Sequence, residues 1–83
     1  LSVYPNPVDD VIKFQYTLSR QVPVTISILD LSGQSIKTLV NSLQEGGLHE
    51  YSIEKQKLPL NAGAYILNFS FGKTSIPVKI VLR

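Results

Sequence analysis

The feature that most constrains this sequence is an alternation of apolar and polar side chains with a period of two. Ile12, Phe14, Tyr16 and Leu18 fall on one face of an extended chain, and the residues between them are polar. Residues 22–28 repeat the pattern, and no segment places apolar residues convincingly at helical spacing. The sequence therefore predicts an all-β domain.

Seven segments have the composition and length of strands: residues 1–4, 12–18, 22–28, 36–40, 48–53, 64–71 and 75–82. This number of short strands predicts an immunoglobulin-like seven-stranded antiparallel β-sandwich. Residues 1–83 are expected to form a single domain. Because the chain has no cysteine, apolar packing must supply its stability. The predicted core includes Phe14, Tyr16, Ile26, Ile28, Leu67 and Phe69.

Turn-forming residues stand between several of these segments. Asp30 and Gly33 bracket a predicted type I turn with a bulge, and Gly72 opens a predicted two-residue type II′ turn. Gly33 and Gly63 are expected at positive φ. Pro77 has no N–H to donate, so the last strand is predicted to lie at a sheet edge or to carry a bulge, available to a partner.

The composition argues against several classes of function. One histidine, no cysteine and scattered carboxylates leave little from which to build a catalytic group, so we expect no enzyme, cofactor or metal site. The single histidine, His49, shares a face with Tyr51 and Ile53, so a packed or edge histidine is favoured over a metal ligand. The net charge of +2 comes from cations interleaved with acids, which argues against a nucleic-acid partner. No apolar run approaches the roughly 20 residues of a membrane span, so no membrane insertion is expected.

Four short segments form an ordered set along the chain. They are Tyr4-Pro5-Asn6-Pro7, residues 26–34, residues 62–67 and the basic-apolar end at residues 78–83. Together they resemble the C-terminal sorting domain (type A) of cargo proteins of the type IX secretion system of Bacteroidetes, over essentially the whole chain. The recognition motifs carried over from that family are Tyr4, Pro5, Asn6 and Pro7, then Gly63 and Tyr65, then Lys79 through Arg83. Many members end with more than one lysine, whereas this segment has only Lys79 and ends on Arg83.

The resemblance implies a domain at the end of a longer secreted protein. Such a domain directs its cargo through the periplasm and across the outer membrane, so the cargo is secreted or reaches the cell surface. The implied partners are the type IX secretion translocon and a surface sortase that usually cleaves the domain off. Neither the resemblance nor the composition indicates an oligomeric state.

The residues by themselves leave alternatives open. Pro5 and Pro7 are also suited to ending the first strand, and Tyr65 suits either a tyrosine corner or a place in the core. A passive immunoglobulin-like spacer, similar to the domain in flagellar hook-capping proteins, is the second interpretation of the chain. A carbohydrate-binding module is a weaker third, because the aromatic residues fall on faces expected to be buried.

Overall fold

Seven strands form two antiparallel sheets in the computed structural model, which describes residues 1–83. The predicted all-β class and strand number are therefore confirmed. A three-residue 3₁₀ turn at Lys55–Lys57 is the only helical element. The strands are β1 Ser2–Tyr4, β2 Val11–Leu18, β3 Val22–Leu29, β4 Ser35–Gln44, β5 Gly47–Glu54, β6 Gly63–Phe71 and β7 Thr74–Leu82.

The two sheets enclose one apolar core in a sandwich-like arrangement. The first sheet has the order β1-β2-β5, and the second has the order β4-β3-β6-β7. Alternation puts every second residue of β2, β3 and β6 between the sheets, as their sequences predict. The six residues predicted for the core are all buried, and the most exposed of them, Tyr16, is only 3% exposed.

Aromatic contacts join the sheets at the centre of this core. The ring of Phe14 on β2 meets that of Phe69 on β6 edge to face, with centroids 5.3 Å apart and planes at 77°. Tyr16 packs against Phe71 with centroids 5.0 Å apart. Such contacts favour one arrangement of the two sheets beyond the gain from burying their area.

Strand β4 differs most from the prediction. It runs from Ser35 to Gln44, whereas the alternation predicted only residues 36–40. Two register shifts against β3 leave Leu39 and Ile36 without partners, and these bulges break the period-two pattern from which strands are predicted. Its last residues pair with the start of β3, and no sequence pattern marks them as a strand.

The β3–β4 turn lies where it was predicted, between Asp30 and Gly33, and it is built on the carboxylate of Asp30. Its Oδ1 accepts hydrogen bonds from the backbone N–H of Ser32 at 3.0 Å and of Gln34 at 2.9 Å. Gly33 has φ +91° and donates its N–H to the carbonyl of Asp30. Hydrogen bonding to the carboxylate, first from the Ser32 hydroxyl, lowers the pKa of Asp30 from its ordinary value.

The hairpin of β6 and β7 confirms two further predictions. Gly72 has φ +61° and no non-glycine residue has positive φ, which fits the type II′ turn. Strand β7 pairs only with β6, so it lies at the edge of its sheet as Pro77 predicted. Even-numbered residues of β7 face the core, where Ile80 and Leu82 are buried, and Lys79, Val81 and Arg83 are exposed.

Candidate recognition site

The motif Tyr4-Pro5-Asn6-Pro7 takes the chain out of the first sheet. Tyr4 is the last residue of β1 and pairs with Lys13, and its side chain is exposed. Pro5 and Pro7 follow, both joined by cis peptide bonds, and neither has an N–H to continue the strand. The chain then reaches the edge of β7 in the other sheet.

The side-chain amide of Asn6 bonds to that edge at two points. Its Nδ2 donates to the carbonyl of Lys79 at 3.1 Å, and its Oδ1 accepts from the N–H of Val81 at 3.1 Å. A carboxamide carries the same donor and acceptor as a peptide group. Asn6 therefore substitutes for one residue of a neighbouring strand.

Val8 continues the contact with its backbone. Its N–H donates to the carbonyl of Val81 at 2.7 Å, and its carbonyl accepts from the N–H of Arg83 at 2.9 Å. The pair Val8 and Leu82 forms a parallel bridge, and the Val8 side chain is fully buried. We call residues 6–8 the clasp, because they cover the outer edge of β7 from the carbonyl of Lys79 to the end of the strand.

The charged residues of the terminal motif lie outside this covered backbone. Lys79 is exposed and takes part in no ion pair. Arg83 places Nη1 3.4 Å from Oδ1 of Asp9, which follows the clasp, and Nζ of Lys55 donates to the Arg83 carbonyl. The clasp thus holds the backbone of the strand and leaves its cations at the surface.

The Gly63 and Tyr65 motif lies on the other side of the same strand. Gly63 starts β6 opposite Leu82, and Tyr65 pairs with Ile80. Gly63 has φ +151°, as predicted, and a Cβ there would meet nothing closer than 3.9 Å, so conformation and not space favours glycine. The Tyr65 hydroxyl donates to the carbonyl of Asn61 at 2.9 Å, which is the hydrogen bond of a tyrosine corner.

The three predicted motifs therefore meet at one place, the C-terminal half of β7. The first motif covers its outer edge, Gly63 and Tyr65 lie along its inner edge, and the third motif is the strand itself. Comparison of the sequence with known families gives a match to the secretion system C-terminal sorting domain over residues 2–83. The chain belongs to this family of type IX secretion sorting domains. No curated protein and no solved structure matches it significantly.

The family identifies what the sorting domain does. It is a C-terminal type IX secretion signal, so it acts in export of its protein to the cell surface or into the medium. The sorting domain contains no helix that could span a membrane.

Several residues of the site were not found from the sequence. Asn6 was expected to be part of a motif, but its bonds to β7 were not predicted, and neither were the contacts of Val8, Asp9 and Lys55. The sequence did contain one indication of the role of Asn6. Of the three residues Pro5, Asn6 and Pro7, only Asn6 can donate a hydrogen bond. The prediction that β7 has an unpaired edge holds only for its first half, since the clasp covers the rest.

A buried polar bridge holds the end of β4 against the other sheet. The Tyr16 hydroxyl donates to Oε1 of Gln44, whose Nε2 donates to the Tyr51 hydroxyl at 2.6 Å. Gln44 is the only buried polar residue, and it leaves no buried side-chain polar atom without a partner. Burial, and then the neighbouring Tyr51, raises the pKa of Tyr16 well above its ordinary range.

The ring of His49 stacks on that of Tyr16 with centroids 5.4 Å apart. His49 thus lies on the face predicted for it, and its side chain forms a hydrogen bond with the Glu45 carbonyl.

Proposed function

We propose that the sorting domain is sufficient as an export signal and that the clasped half of β7 is the surface read by its partners. The observation that carries this proposal is the double hydrogen bond from Asn6 to Lys79 and Val81. It joins two motifs that lie at opposite ends of the sequence into one surface. That surface presents Tyr4, Pro5, Pro7, Lys79 and Arg83.

The proposed partners are the type IX translocon and the surface sortase, met in that order. The domain passes with its cargo through the periplasm and the outer membrane, and the sortase then removes it. Exposed charges suit such recognition, because complementary charges on a partner speed its encounter with the domain and discriminate against wrong partners. The domain itself is proposed to have no catalytic activity.

We also infer an immunoglobulin-like topology. The orders β1-β2-β5 and β3-β6-β7 correspond to strands A-B-E and C-F-G of that fold. Tyr65 occupies the place of the tyrosine corner, near the start of the sixth strand. The fourth strand pairs with β3 and not with β5, which distinguishes the order from the constant-type arrangement.

Export of a reporter tests the proposed function. The chain is fused to the C-terminus of a periplasmic reporter in a type IX-competent Bacteroidetes host. Surface labelling of the intact fusion is expected, whereas retention in the periplasm, while a native cargo of the same cells is exported, would restore the spacer interpretation.

Matched double substitutions test which cations are read. Lys79→Ala with Arg83→Ala is expected to reduce surface delivery. Lys37→Ala with Lys57→Ala removes the same charge from two other exposed positions and is expected to leave delivery unchanged. Thermal melts of both variants accompany the assay, since substitution of exposed charges typically changes stability by under about 0.5 kcal/mol. Equal delivery by the two variants would show that the terminal cations are not read.

A further inference from the structure

The first half of the β7 edge has no partner. The Lys79 carbonyl and both backbone groups of Val81 bond outward to the clasp, and in an antiparallel ladder outward-pointing residues alternate with residues that hydrogen-bond to the neighbouring strand. The backbone groups of Ser75, Pro77 and Lys79 therefore point outward as well. The clasp takes up the Lys79 carbonyl but none of the groups before it. This free half-edge therefore offers the N–H groups of Ser75 and Lys79 and the carbonyls of Ser75 and Pro77.

An apolar groove of about 290 Å³ lies beside the free half-edge. Leu18 of the first sheet and Phe71 and Ile76 of the second sheet line it, so it opens between the two sheets. Ile76 is 37% exposed, although its position in β7 faces the core side of the sheet. A strand added along β7 would direct alternate side chains to the core side of the sheet, and those beside Ile76 would enter this groove.

The charge around the free half-edge has one sign. The last third of the chain departs from the interleaving of cations and acids expected for the whole sequence: from Lys55 to Arg83 it has five cations and no acidic residue. Lys73 in the β6–β7 turn and Lys79 flank the half-edge, and Arg20 lines the groove. None of these three takes part in a salt bridge.

We propose that the free half-edge binds an extended segment of a partner protein by strand addition. The segment has apolar side chains at alternate positions, which enter the groove, and acidic residues beside Lys73, Lys79 and Arg20. Backbone hydrogen bonds supply affinity in this mode, and the groove supplies specificity. The proposal rests on the recognition role of β7 and adds a second contact next to the clasped half.

A second copy of the chain fits the same edge poorly. Antiparallel pairing of two β7 strands across Pro77 would bring the cationic surfaces of two copies together. It would also leave the Pro77 carbonyls opposite residues without an N–H. The cations around the free half-edge and the position of Pro77 therefore favour an acidic segment of another protein over a second copy of this chain.

Titration of the isotope-labelled chain with a synthetic peptide tests the proposal. The probe is a short peptide in which valine alternates with threonine and aspartate stands at both ends. Its control has the same composition with the valines in one block. Saturable shifts of the Ser75 and Lys79 amide signals are expected with the alternating peptide alone, and added salt is expected to weaken the binding. Absence of saturable shifts at both amides, or dimerisation of the chain through this edge in sedimentation, overturns the proposal.

Two substitutions at one residue separate edge pairing from other contacts. Ser75→Pro removes an outward N–H and leaves the bonds to β6 intact, so binding is expected to weaken about tenfold. Ser75→Ala keeps the N–H and is expected to bind as the unaltered chain does. Equal binding by both overturns the proposal. If Ser75→Pro does not fold, Ile76→Ser tests the groove instead. Peptide binding by Ile76→Ser at the level of the unaltered chain would then overturn the proposal.

The reporter assay distinguishes failure of this inference from failure of the sorting role. Normal export of the intact fusion without peptide binding refutes the strand-addition site alone. Retention of the intact fusion in the periplasm refutes the proposal that the domain suffices for export, whatever the peptide does.

Discussion

Substituting Asn6 with alanine removes the clasp's two side-chain hydrogen bonds to β7. Each hydrogen bond spans 3.1 Å and is exposed to solvent. Its net contribution to the free energy of unfolding therefore lies in the lower part of the usual range of about 0.5–1.5 kcal/mol. The Lys79 carbonyl and the Val81 N–H become accessible to water, so no desolvation penalty is added. We expect Asn6→Ala to lower the free energy of unfolding by about 1–2 kcal/mol, which in a domain of this size lowers Tm by about 4–16 °C.

Denaturant unfolding gives this free energy, and amide hydrogen exchange locates the change. Exchange at Val81 is expected to accelerate more than exchange in β3, because only the edge of β7 loses its cover. Asn41→Ala is the matched control, since Asn41 is an exposed asparagine whose one side-chain hydrogen bond, accepted from Thr25, spans 3.4 Å. That variant is expected to change stability by under about 0.5 kcal/mol. Equal effects of the two substitutions, with Val81 exchange unchanged, would refute the role given to Asn6.

Three further predictions concern the rest of the fold. Gly33→Val is expected to destabilise the domain by about 1–3 kcal/mol in denaturant unfolding. The cause is backbone strain at φ +91° and not a steric clash, because a Cβ at this position would have no atom within 4 Å. An unchanged unfolding midpoint would contradict this. Phe69→Ala is expected to cost about 3–5 kcal/mol by the same measurement, because its ring is fully buried between the sheets, and a loss below about 1 kcal/mol would show that Phe69 is not central to the core. Burial holds the folded pKa of Tyr16 above its unfolded value of about 10, so stability is complete below that pH and falls as pH rises through it. Above that pH, the free energy of unfolding is expected to fall less steeply with pH for Tyr16→Phe than for the unaltered chain. Identical slopes for the two proteins would contradict the raised pKa of Tyr16.

The alternation of side chains predicted much of the fold because burial on one face of a strand leaves a direct pattern in sequence. The core residues on β2, β3 and β6 were predicted correctly on this basis, and so were the turns at Asp30 and Gly72, where the local chemistry specifies the backbone. Strand β4 was predicted too short, because bulges interrupt the period and because most of its residues are exposed on both faces.

The recognition site was predicted as separate motifs but not as one surface. The contact between Asn6 and Lys79 joins residues at opposite ends of the chain, and alternation carries no information about which distant segments become neighbours. The same limit applies to Gln44, whose bridge to Tyr16 and Tyr51 depends on where the chain crosses from β4 to β5 in the other sheet. Local chemistry indicated Pro77 as an edge residue, but the cover supplied by Val8 is a property of the folded chain.

The central claim is that the first motif and the last strand act in export as one surface. Surface delivery of reporter fusions carrying Asn6→Ala and Asn41→Ala, measured at a temperature at which both domains remain folded, tests it directly. The claim predicts reduced delivery for Asn6→Ala, comparable to that of the Lys79→Ala and Arg83→Ala double variant, and unreduced delivery for Asn41→Ala. Delivery of the Asn6→Ala fusion at the level of the unaltered chain would contradict it.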